Sequence, residues 1–88
     1  MHAVMVSVEI LDDDPSRRRL HEEVVPSTSQ APGFTAGYWV EAGEGRGQAL
    51  IVMASKEAAD AMAEAVRANT GGPARILDVR VGEVVAHA

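Results

Sequence analysis

Hydrophobic and polar residues alternate along positions 2–10 (HAVMVSVEI), with Val4, Val6, Val8 and Ile10 on one side and Ala3, Met5, Ser7 and Glu9 on the other. A period of two marks a strand, and four β-branched residues in a row on one side make that side stiff and suited to a core. The pattern then changes. Asp14 offers a carboxylate as N-cap, Pro15 fits the first helical position, and Leu20 and Val24 recur one turn apart, so a helix is predicted through residue 25. Pro26 should end or kink it, because proline has no N–H and its ring clashes with the carbonyl four residues back; residues 27–31 are expected to continue as a distorted turn. Pro32 and Gly33 mark a tight turn into a second strand over 34–41, where Phe34, Ala36, Tyr38 and Val40 alternate with Thr35, Gly37, Trp39 and Glu41.

Residues 42–47 (AGEGRG) form a glycine-rich link between two strand patterns, as a hairpin tip would. A phosphate-binding loop would need a following helix with Lys and Ser or Thr, and a strand over 48–54 follows instead. Ser55 is placed to cap a second helix over 56–69, in which Ala59, Met62, Ala63 and Val66 make a stripe at helical spacing. The run NTGGP at 69–73 stops that helix, and a last strand over 75–85 sets Leu77, Val79 and Val81 opposite Ile76, Asp78, Arg80 and Gly82.

The order β-α-β-β-α-β predicts a single α+β domain over 1–88 with a ferredoxin-like plan: a four-stranded antiparallel sheet with both helices on one face. If the stiffer side of each strand faces the helices, the inward set is Val4, Val6, Val8, Phe34, Tyr38, Val40, Ile51, Met53, Leu77, Val79 and Val81. The outer face then carries Met5, Trp39, Leu50 and Val52 among Ser7, Glu9, Asp78 and Arg80. An apolar cluster of that extent marks an interaction surface. A domain of this length also buries only roughly 60 to 65% of its unfolded surface, so association would add stability. The chain is therefore expected to form a homodimer through its sheet faces.

Composition narrows the classes. The three aromatic residues, Phe34, Tyr38 and Trp39, leave a core of aliphatic side chains, and the absence of cysteine removes disulfides, thiolate catalysis and cysteine-bound metals. A net charge of −5 argues against a nucleic-acid partner, and the one basic run, Arg17 to Arg19, directly follows Asp12 to Asp14. No apolar run is long enough to span a membrane and no signal-peptide order opens the chain, so a cytoplasmic protein is expected. Seven Arg against one Lys, with abundant Ala, Val and Gly, suggests a GC-rich bacterial genome.

The run VVPSTSQAPGF at 24–34, then a strand, a glycine hairpin and LIVMASKEAADAM at 50–62, resembles the dimeric α/β-barrel superfamily, particularly its antibiotic-biosynthesis-monooxygenase-like group. That resemblance implies two ferredoxin-like protomers joined face to face, with a small molecule often held between sheet and helices. It also implies a range of activities: cofactor-free oxygenases of aromatic substrates that use Asn, Trp and His, isomerases, haem-degrading enzymes, and members without known activity. In this chain His21 is the matching histidine, Trp39 falls on the second strand, the first strand carries Ser7, and Asn69 stands at the helix stop.

Each candidate residue has two readings. Trp39 serves a ligand pocket or the dimer core. Arg80 pairs with Asp78 or Glu9, or anchors an anionic ligand, with Met5 and Ser7 as ligand-binding candidates on the same face. His21 is an acid or base near neutrality, or an ordinary helix histidine. His2 and His87 are terminal and show no metal-type spacing, so neither metal nor haem is expected. The scarcity of catalytic groups favours a non-catalytic module that binds a small ligand or itself. The alternative is a cofactor-independent, monooxygenase-like or isomerase-like enzyme for a small hydrophobic aromatic compound. A cavity beside His21 and Trp39 keeps the enzyme reading open, and a filled core removes it.

Overall fold

The computed structural model describes residues 1–11, 13–68 and 74–88. Its elements are β1 (His2–Ile10), α1 (Asp13–Arg19), a π-helical turn (Leu20–Val24), α2 (Val25–Ser29), β2 (Phe34–Gly43), β3 (Arg46–Met53), α3 (Lys56–Ala68) and β4 (Ala74–Glu83). All strand pairs are antiparallel and lie in the order β2-β3-β1-β4, so the fold is α+β with a ferredoxin-like sheet. Among the described residues no helix is long and apolar enough to cross a membrane. The helix stop read at 69–73 lies outside the described residues.

β1 is a central strand because its stiff side is needed on both flanks: Val4 pairs with Ile51 and Val81, and Val6 with Ala49 and Val79. Val4, Ile51 and Met53 are almost wholly buried against Ala59 and Ala63, whose small side chains let α3 lie close to the sheet. The expected cap is in place, since the Ala58 N–H donates to Ser55 Oγ at 3.1 Å. At the other end Arg67 Nη2 donates to the Val79 carbonyl at 3.1 Å, tying α3 to β4. Gly33 has φ of +83° and an added Cβ would meet Ala58 Cβ at 2.8 Å, so both conformation and space require glycine there. The hairpin tip is Glu44-Gly45, with φ of 55° and 72°, the pattern of a type I′ turn.

Two bulges change the side assignments expected from simple alternation. In β2, Phe34 pairs with Met53 but Ala36 already pairs with Val52, leaving Thr35 as an extra residue. Residues 36–41 of β2 are turned over, up to a second register shift between Glu41 and Gly43. Trp39 packs against the core, while Tyr38 and Val40 point outward at 60% and 57% exposure, the reverse of the expected faces. In β4 the shift lies between the Ser7–Asp78 and Val8–Ile76 pairs, so Ile76 packs inward and Leu77 is 40% exposed. An inserted residue has no composition of its own, and so leaves no mark in the period.

Pro26 does not end the first helical run. The chain widens into the π-helical turn just before it, with the Val25 N–H donating to the Leu20 carbonyl, and then α2 continues through Pro26 to Ser29. The wider turn removes the clash that an α-helical path would force on the proline ring.

Candidate functional site

Residues 13–29 have an apolar stripe, Leu20, Val24 and Val25, yet no residue of Leu20–Val24 is buried. The run leaves its apolar stripe only half-buried, whereas Thr28 near its end is buried. Between the run and the sheet lies a cleft of about 770 Å³, with Val6, Val8, Ile51 and Ile76 of the sheet opposite Leu20, Val24 and Val25, and with Met62 and Val66 of α3 also lining it. The sheet side is low because β3 turns small residues inward here. Gly47 is opposite Val8 and Ala49 is opposite Val6. A Cβ on Gly47 would meet Val8 Cγ2 at 3.1 Å.

Trp39 lines the cleft beside Ala49, its β3 partner. Its ring lies over Gly37, where an added Cβ would come within 2.8 Å of Trp39 Cη2. His21 lines the same cleft from the π-helical turn and is exposed. His21 and Trp39, which the sequence reading set beside one cavity, both line this cleft. The reason is the Thr35 bulge, which carries Trp39 from the outer face to the helix face.

Of the charged lining residues, Arg17, Glu23 and Glu41 are exposed and Arg19 is half-buried, while most of the remaining lining is aliphatic or aromatic. Arg17 Nε donates to Glu41 Oε1 at 2.7 Å and Nη2 donates to Oε2 at 2.8 Å, linking α1 to β2. These hydrogen bonds from Arg17 hold the Glu41 carboxyl below its ordinary range. Arg19 Nε lies 3.4 Å from Glu23 Oε2, one turn along the same helical run. Ser16, Ser27 and Thr28 add further polar groups to the lining, and Thr28 is buried. Among the described residues no three His, Asp or Glu side chains converge as a metal site would require.

The other three candidates are elsewhere. Met5, Ser7 and Arg80 occupy the outer face, where Tyr38, Leu50, Met5 and Arg80 follow one another across the four strands. The next row is Val40, Gln48, Ser7 and Asp78. Arg80 Nε donates to Asp78 Oδ2 at 2.8 Å, whereas Glu9 pairs with Arg75 at 3.1 Å. Arg80 is therefore on the side of the sheet away from His21 and Trp39.

Arg17, Glu41 and Gly47 were missed as site residues. Arg17 read as part of a basic run offset by its acidic neighbours, and its partner is 24 positions away. Gly47 read as the end of a loop. A glycine and an alanine at alternate positions, 47 and 49, in an otherwise bulky strand were the available signal of a shallow place in the core. The chain matches no protein-family model, no curated protein and no solved structure in the comparisons made.

Proposed function

We propose that this protein binds a small, flat, apolar aromatic molecule in the cleft between residues 13–29 and the sheet, and that it does so as a homodimer closed through its outer sheet faces into an α/β barrel. The observation that carries the first part is the cleft of about 770 Å³ beside an amphipathic run whose apolar residues Leu20 and Val24 are only half-buried. Its volume lies within the roughly 300 to 1,000 Å³ of small-molecule sites, and a mainly apolar lining with a few polar groups is their usual makeup. A bound ring would cover Leu20, Val24 and Trp39 together. The second part rests on the contiguous outer row of Tyr38, Leu50 and Met5, exposed by 60%, 41% and 42%. The resemblance to dimeric α/β barrels agrees with both.

Trp39 is the only tryptophan. Its emission should therefore change saturably on titration with quinones or flavonoid-like phenols, and a panel of such compounds without effect on a folded protein would contradict the binding reading. Sedimentation equilibrium should give a dimer, with Leu50→Asp giving monomers or insoluble protein because a buried unpaired carboxylate is costly. A wild-type monomer at high concentration would contradict the barrel.

One observation favours an enzymatic second reading: His21, the chain's matching histidine, lines the cleft within the π-helical turn, and such turns are frequent at functional sites. His21→Ala that keeps ligand binding while losing turnover would favour it over simple binding.

A further inference from the structure

Arg17 and Glu41 both line the cleft, one from α1 and the other from β2, and each is about half exposed, at 55% and 45%. Their two hydrogen bonds, Nε to Oε1 and Nη2 to Oε2, are parallel and short. This is the fork-to-carboxylate geometry by which arginine recognises a planar anion. Val8, Ile10 and Leu20 line the same cleft, as do Ser16 and His21, and Arg19 lies 3.4 Å from Glu23 along its own helical run. A carboxylate thus already docks on an arginine fork at the edge of an apolar, ring-sized space. Because the pair is solvent-exposed, opening it costs little, and a released Glu41 would return to water.

We infer that Arg17 is the anion-recognising residue of the cleft and that Glu41 occupies its fork when no ligand is bound, so that the preferred ligand is a flat aromatic acid. Its carboxylate takes the place of Glu41 on Arg17 while its ring lies inward against Trp39. Glu41 is then a built-in competitor. It sets the affinity for acids and leaves the affinity for neutral rings alone. This inference rests on the ligand-binding reading above.

The test uses 2-naphthoic acid and 2-naphthamide, which share a shape and differ in charge at neutral pH, measured by calorimetry on the full chain. Wild type should bind the acid more tightly than the amide. Glu41→Gln should tighten the acid by about two- to fivefold, because the exposed pair it removes is weak, and leave the amide unchanged. Arg17→Gln should weaken the acid by a similar factor without affecting the amide. In the double variant Glu41→Gln should no longer have an effect. Both positions are exposed, so folding is expected to survive, and circular dichroism checks it. Amide binding with no response of the acid to either substitution overturns the inference alone. Binding of neither compound by any folded variant overturns the ligand-binding reading together with it.

Discussion

One methyl group at Gly37 tests whether Trp39 is held on the helix side of the sheet. A Cβ there would lie 2.8 Å from Trp39 Cη2, 2.9 Å from Cζ3 and 3.3 Å from Phe34 Cε2. Ordinary carbon contacts are about 3.5 to 4.0 Å, so the indole must retreat by roughly 0.7 to 1 Å. Overfilling a packed site costs about 1 to 3 kcal/mol, and replacing glycine by alanine in a strand returns about 0.5 to 1 kcal/mol. A cost near the middle of its range, less that gain, leaves a net loss of about 1 kcal/mol. Gly37→Ala should therefore destabilise by about 1 kcal/mol, a fall in Tm of about 4 to 8 °C for a domain of this size. Tryptophan emission should move to longer wavelength as the ring tips into the cleft. On the outer face, by contrast, the indole would swing into solvent at no cost. A Gly37→Ala protein that is more stable than wild type, with unchanged emission, would refute the inward placement and the Thr35 bulge that produces it.

Glu44 holds φ of 55° at the first central position of a type I′ turn, where Asn before Gly is favoured. Glu44→Asn should thus raise stability by about 0.5 to 1 kcal/mol in urea unfolding. Ser55→Ala removes the side-chain acceptor for the Ala58 N–H and should cost about 1 kcal/mol in the same assay. The folded pKa of Glu41 lies below its ordinary value of 4.5, so the contribution of the Arg17–Glu41 pair is complete above that value and is lost as pH falls through the folded one. The stability difference between wild type and Glu41→Gln should accordingly shrink on acidification below the ordinary carboxylate range, and added salt should reduce it at neutral pH.

Much of the fold was legible because it depends on local rules. The alternation of β1 placed its bounds and inward side, Ser55 announced α3, and the Ala59, Met62, Ala63 stripe named the residues that α3 buries. Met5 and Leu50 also emerged where the pattern put them, adjacent on the outer face. What failed depended on single insertions or on distant partners. The extra residues at Thr35 and Leu77 exchanged Trp39 for Tyr38 and Ile76 for Leu77 without altering composition. The chain carried α2 through Pro26 by widening a turn, a response that no propensity scale contains. The cleft itself is a gap between elements. Its traces in the sequence are small residues at 47 and 49 and the apolar stripe Leu20, Val24 and Val25, which the fold leaves half-buried.

The proposed ligand-bearing face of the sheet can be tested directly by methyl and indole NMR during titration with 2-naphthamide. Chemical-shift changes should concentrate on Val6, Val8, Ile51 and Ile76 and on the Trp39 indole, all of which line the cleft. Met5 and Leu50, on the opposite face, should stay unmoved. Saturable changes centred on Met5 and Leu50, or no saturable change at the Trp39 indole, would contradict a binding site between the first helical run and the sheet.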